Sequence, residues 1–371
     1  MAFPVRAGQV WHSMMPDATH DDISHQAFVT TMMNQMGSMM PGNRVVYDHV
    51  VKPKFVRQHK REPNNVHEVR KAMLREPYTQ YWSSFKRCAK EMQYMSVGPM
   101  VERQLPELIE RAKPRKSDLG TLSLDPTIKC PRYNSEVEIH AKPGGYHTDL
   151  TKDDVFAGAE FDRTFFVFTN GGTGKLNGRS GETMAAWLKK THPNFKPKKI
   201  LDMGCTIGGN TLPWVDAFPN AEVYGLDVGA PCLRYAHARA EALGKRAHFV
   251  QDDAEHTKFE GESFDLVVSC ILMHELSYKA LHNVFKESHR LLRKGGLAIH
   301  SDQPPFRTKD MVEQFHTDWD THFQAEPFIT TLGLTDLCDV AQKGGFAKNK
   351  IDEVFVPLMQ NREFYMVTAQ K

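Results

Sequence analysis

From residue 195 onward the chain alternates short apolar runs with amphipathic stretches, and that rhythm leaves few folds open. Strands joined by crossover helices in this order build a parallel sheet with helices on both faces. Lys199–Met203 reads as the first strand, Ala221–Asp227 as the second and Ala247–Gln251 as the third. Phe264–Ser269, almost wholly apolar, reads as a fourth, central strand covered on both faces, and Leu297–His300 as the fifth. Helices are expected over Asn210–Phe218, Pro231–Leu243 and Tyr278–Leu292, with Gly244 stopping the second and Gly295-Gly296 following the third. The closing runs Glu353–Pro357 and Phe364–Thr368 are joined by a short polar connection near Gln360-Asn361-Arg362. So short a link predicts an antiparallel hairpin rather than another crossover.

The first 130 residues follow a different pattern. Glu68–Tyr94 and Val101–Lys113 have helical composition, with Pro106 as a break in the second, and residues 114–150 read as an irregular linker rich in proline and glycine. Trp11, Tyr78, Tyr81, Trp82 and Phe85 supply enough apolar surface for this part to fold. Met32, Met33, Met36, Met39 and Met40 form a cluster suited to an irregular packed surface. The expected division is a mainly helical N-terminal domain over 1–140, shaping acceptor specificity or serving as a lid, and an α/β domain over 141–371.

Composition narrows the partners. A formal net charge of +2 over 371 residues argues against a general nucleic-acid binder. No run approaches the ~18 uninterrupted apolar residues of a membrane span, and the opening Met1–Arg6 lacks the apolar core of a secretory signal. Six cysteines without paired spacing fit a reducing, cytoplasmic setting. Eighteen histidines invite a metal reading, but none stands in a His-x-x-x-His or Cys-x-x-Cys frame with the partners zinc needs, so no metal is expected. A homodimer is the expected assembly.

The first strand ends in Leu201-Asp202-Met203-Gly204-Cys205-Thr206-Ile207-Gly208-Gly209. Glycine lets backbone approach a ligand closely, and the next helix offers free N–H groups there. Asp227, ending the second strand, occupies the place where a doubly wound sheet puts a carboxylate for ribose hydroxyls. Together they imply an adenosine-containing ligand. A nicotinamide-dependent oxidoreductase shares these features, but its fingerprint needs glycine at 206, where this chain has threonine.

Residues 180–371 resemble the class I S-adenosylmethionine-dependent methyltransferases, especially the small-molecule enzymes of ubiquinone and menaquinone biosynthesis. Asp202, Gly204 and Gly208 match the family's first motif, Thr206 standing where its middle glycine is usual, and Asp227 matches its ribose-binding carboxylate. Gln251–Glu255 is similar to the third motif, which implies that Asp253 accepts the adenine amino group and the Ala254 N–H faces a ring nitrogen. Phe264–Leu276, which carries Cys270 on the cofactor side, and Leu291–Leu297 look like the fourth-strand motif and the turn into the fifth strand. The resemblance implies a Rossmann-like, seven-stranded doubly wound sheet and S-adenosyl-L-methionine as cofactor. The implied activity is methyl transfer to a small-molecule metabolite. A catalytically silent cofactor-binding subunit is the non-enzymatic alternative, because fold alone does not establish activity.

Methyl transfer from a sulfonium needs alignment and exclusion of water more than acid–base chemistry. Where the acceptor is a protonated oxygen, a base is required. His274, just past the fourth strand, is the candidate, because an imidazole titrates near neutral pH. Glu275, His300, Asp302 and Gln303 are secondary candidates, Asp302 as an acceptor contact. Tyr146 and His147, in Lys142–His147 upstream of the core, stand where similar methyltransferases carry a lid, which implies contact with substrate. Asn170–Gly174 reads as a flexible connection.

Overall fold

A computed structural model describes residues 9–357 and 363–371. The opening Met1–Arg6 and the hairpin connection at 360–362 lie outside the described residues. Eight strands form one mixed sheet: β1 (Thr121–Ser123), β2 (Lys199–Met203), β3 (Glu222–Asp227), β4 (His248–Gln251), β5 (Phe264–Cys270), β6 (Leu292–Asp302), β7 (Ile351–Pro357) and β8 (Glu363–Gln370). Their order is β1-β4-β3-β2-β5-β6-β8-β7. Every pair from β1 to β6 is parallel, and β8 runs antiparallel to both β6 and β7.

Alternation along the strands divides the apolar residues between two faces. Leu201, Met203 and Val267 pack with Leu281, Val284 and Phe285 of the helix Tyr278–Leu291. Ile200, Leu266 and Val268 point the other way, onto Met184 and Leu188 of the helix Arg179–Thr191 and Trp214 of Leu212–Ala217. The expected strands all appear, within a few residues of their predicted bounds. The eighth, β1, is the addition, and it comes from the stretch expected to be an irregular linker. With three residues it has no readable period; pairing with β4 makes it a strand.

Helices His20–Val46, Val66–Met73 and Pro77–Met95 belong to the N-terminal region, and Met311–Phe323 to the connection between β6 and β7. Pro77, in the first turn of its helix, separates the third from the second, so Glu68–Tyr94 is two helices rather than one. Tyr47, Val69, Met73 and Trp82 share one apolar cluster with Val312, Phe315 and Trp319, against which Met39 and Met40 pack. The Trp82 and Trp319 rings lie 5.2 Å apart. Trp319 Nε1 donates to Ser83 Oγ at 2.6 Å. The methionine cluster therefore serves packing, with Met36 buried on the same helix. This helical layer lies over the carboxyl end of the sheet, and Lys90 and Tyr94 of Pro77–Met95 reach the cavity described next.

Candidate active site

In an open parallel sheet, ligands bind beyond the carboxyl ends of the strands where the strand order reverses. Here β2 lies between β3 and β5, so the turn after β2 sits at that point. A cavity of about 730 Å³ opens there, lined by Gly204, Thr206, Asp227, Asp253, Ala254 and Cys270 among others. That size falls within the ~300–1,000 Å³ of small-molecule sites.

The turn keeps its path without the middle glycine. Thr206 takes φ +48°, between Gly204 at +73° and Gly208 at +71°. A β-branched residue in this left-handed region is strained. Its amide offsets the strain by donating to Asp227 Oδ2 at 2.9 Å. We expect Thr206→Gly to retain the turn and raise stability by up to about 1 kcal/mol, net of the greater freedom of its unfolded chain; urea denaturation would measure it. Gly208 does not line the cavity. A Cβ there would lie 3.0 Å from the Phe249 ring, so close packing beneath the turn joins the left-handed backbone in requiring glycine.

Asp227 accepts from the Thr206 and Gly229 amides, both at 2.9 Å, one on each carboxylate oxygen. Burial pushes its pKa up while these amides pull it down. Each oxygen keeps a lone pair for a further donor. Asp202 is buried below the turn, where it accepts from Thr211 Oγ1 at 2.6 Å and tethers the following helix. Burial raises its pKa to about 7. Asp253 Oδ1 accepts the Glu255 amide at 2.9 Å, which shapes the turn after β4.

Beyond Cys270 the cavity widens toward His140, His274, Glu275 and Glu326. His274 lies in a short 3₁₀ turn after β5 and is buried. The Asp302 carboxylate holds it at Nδ1, its two oxygens 2.9 and 3.1 Å away, and accepts from its amide at 3.1 Å. Burial opposes charge on this imidazole, but Asp302 outweighs it and raises the pKa to about 10. His274 is therefore a proton donor at neutral pH, not the free base expected of it. Asp302 is not on the cavity wall; it stands behind His274 and positions it instead of contacting an acceptor. His300 is also withdrawn: it is buried between Ser269 and Ser288, and burial lowers its pKa to about 4.

Tyr146 and His147 line the cavity, and the Tyr146 hydroxyl hydrogen-bonds His140 Nδ1. Their segment is anchored by Lys142, fully buried and 2.6 Å from Glu160. The stretch Asn170–Gly174 is not a loose connection: Thr173 donates to Asn177 Oδ1 at 2.6 Å, and both residues line the cavity. Several lining residues carried no sequence signal. Lys90, Gln93 and Tyr94 come from an N-terminal helix, and Glu326 from the loop after Met311–Phe323. Helical spacing shows that Lys90 and Tyr94 share a face, but not what that face meets.

Residues 200–296 match the family model described as a methyltransferase domain. Residues 200–296 thus carry a methyltransferase domain. S-adenosylmethionine is that family's cofactor, and the match sets aside the nicotinamide reading. The domain is similar to the demethylmenaquinone methyltransferase of Thermus thermophilus, 32% identical over 109 residues, which is 29% of this chain and 49% of that protein. It is also similar to the phthiotriol/phenolphthiotriol dimycocerosates methyltransferase of Mycobacterium leprae, 31% identical over 31% of this chain and 41% of that one. The chain thus spans under half the length of these curated relatives. Among solved structures, a putative O-methyltransferase of Nostoc punctiforme aligns with a TM-score of 0.44 at 18% identity, over 61% of this chain and 64% of that chain. No helix among the described residues is long and apolar enough to cross a membrane.

Proposed function

We propose that this protein transfers the methyl group of S-adenosylmethionine to a hydroxyl oxygen of a small aromatic or largely apolar acceptor. The carrying observation is one continuous cavity: the cofactor turn forms one end, and aromatic side chains with the His140–His274–Glu326 cluster form the other.

The residues present fit the cofactor. The free lone pairs of Asp227 would take a ribose diol, Asp253 and the Ala254 amide would hold adenine, and Gly204 leaves room for the ligand where a Cβ would already crowd Leu272. Bound there, S-adenosylmethionine supplies an electrophilic methyl carbon. The protein's task is then alignment, which can account for ~7–11 kcal/mol of a barrier. Tyr94, Tyr146, Phe161, Phe165 and Phe168 form an apolar wall that excludes water and stacks against an aromatic acceptor. His274, held by Asp302, would donate a hydrogen bond to the acceptor oxygen, and the hydroxyl proton displaced by the methyl group would pass to the Glu275 carboxylate, whose proton affinity burial raises. The N-terminal helices set acceptor specificity, because Lys90, Gln93 and Tyr94 occupy the acceptor end. Six free cysteines agree with a reducing cytoplasm.

Two relatives are named for demethylmenaquinone and for phthiotriol and phenolphthiotriol dimycocerosates, both largely apolar acceptors. Incubation with S-adenosylmethionine and a panel of quinols, phenols and hydroxylated lipids, read as S-adenosylhomocysteine release, would test this. We expect turnover confined to the hydroxylated aromatic and largely apolar acceptors. Cofactor binding without turnover on any of them would overturn the reading and favour a silent binding subunit.

A further inference from the structure

We propose that His140, His274 and Glu326 form a binding site for a divalent transition-metal ion at the acceptor end of the cavity. Their donor atoms, one from each side chain, lie within 4.8 Å of one another. His140 Nε2 is 2.8 Å from Glu326 Oε1, and His274 Nε2 is 3.7 Å from Glu326 Oε2. Ligands ~2.1 Å from a tetrahedral ion stand ~3.4 Å apart, so small rotamer changes complete the geometry.

Three further features distinguish this cluster from an ordinary ion-pair network. Each imidazole turns Nε2 inward and anchors Nδ1 on an oxygen, His274 on Asp302 and His140 on the Tyr146 hydroxyl. Metal-binding histidines are held this way, with the other ring nitrogen on a carboxylate or similar partner. Glu326 Oε2 is buried and has no hydrogen-bond partner among the described residues. It points into the cluster, where a cation would satisfy it. Finally, His140, Ala141 and Ala325 all take left-handed backbone, at φ +60°, +54° and +55°, and the His140 amide donates to the Ala325 carbonyl. Left-handed conformations at three non-glycine residues are costly, and such strain is retained where side chains must be aimed.

Two nitrogens and one carboxylate suit zinc, iron or cobalt rather than magnesium or calcium. Glu275, 3.7 Å from His140 Nε2, adds negative charge beside the site. The remaining coordination positions face the cavity, where the acceptor's oxygen would complete the shell and the ion would take over the anchoring role of His274. That last placement rests on the methyl-transfer reading; the ion site does not.

The test is titration of chelator-treated full-length protein with Zn²⁺ and Co²⁺, followed by calorimetry and visible absorption. We expect one ion per chain and intense cobalt d–d bands, as nitrogen ligands at low coordination number produce. Glu326→Gln and His140→Ala should each weaken binding more than about 100-fold, and Asp302→Asn about 10–100-fold. S-adenosylmethionine affinity, measured in parallel, should stay within a few-fold of wild type in the first two variants. It reports folding and keeps this proposal separate from the methyl-transfer one. No uptake by the wild type, only the weak bands of an all-oxygen octahedral ion, Mg²⁺ binding as tight as Zn²⁺, or unchanged affinity in folded Glu326→Gln would each overturn the site.

Discussion

Asp227→Ala is expected to weaken S-adenosylmethionine binding by about two to four orders of magnitude in calorimetry. Hydrogen bonds to a charged group contribute about 1.5–3 kcal/mol each, and a ribose diol would make two with this carboxylate. The same change strips the Thr206 and Gly229 amides of their acceptor. Without it, the strained Thr206 backbone loses the bond that offsets its conformation. Asp227→Asn should fall between, because one amide oxygen can replace only one of the two carboxylate oxygens. Binding of Asp227→Ala within threefold of wild type would show that the cofactor does not sit at the end of β3.

The second large effect concerns stability. Asp162 is buried on the helix Phe156–Phe168 and accepts from Arg239 Nε at 3.1 Å, Tyr235 OH at 3.0 Å and Asn177 Nδ2 at 2.7 Å. His12 Nε2 lies 3.0 Å from the same carboxylate. Asp162→Ala would leave the Arg239 guanidinium uncompensated, at a cost of about 3–5 kcal/mol in chemical denaturation. The double variant Asp162→Leu with Arg239→Leu should lose less than the sum of its singles, since no charge is stranded. Burial opposes ionisation of Asp162, but Arg239 and His12 prevail and hold its pKa well below the usual value. A depressed carboxylate stabilises the fold above its unfolded pKa of about 4 and loses that contribution as pH falls toward the folded value. Wild type should therefore lose stability below about pH 4 more steeply than Asp162→Ala. Parallel acid profiles for the two would contradict this account.

The α/β core was legible because its signals are local. Strand and helix periods from Lys199 to Gln370 survive any tertiary context, since central strands are apolar throughout and crossover helices are amphipathic. The turn after β2 was legible for the same reason: glycine at 204 and 208 and acids at 202 and 227 sit at fixed offsets within one β-α-β unit. The role of Thr206 was not, because threonine gives no hint that it will adopt φ +48° until the Asp227 carboxylate is placed beneath its amide. β1 was hidden because three residues have no period, and their pairing partner β4 lies far along the chain.

The end of the cavity around His140, His274 and Glu326 lay beyond the reach of such reasoning. His274 stood out as the histidine after the fourth strand, but its protonation is decided by Asp302, which arrives from the end of β6. His140 and Glu326 lie in segments without regular pattern and meet only because the helical layer folds over the sheet. Spacing rules detect metal ligands that share a turn or a helix; they are blind to three side chains gathered from separate loops. The sequence by itself determined seven of the eight strands, the closing antiparallel pair and the glycine turn after β2, because periodicity and short motifs act within one or two elements. Only the tertiary structure decided what lines the far end of the cavity, because burial and charge there come from side chains distant in the chain, and their effect depends on distances that no local pattern encodes.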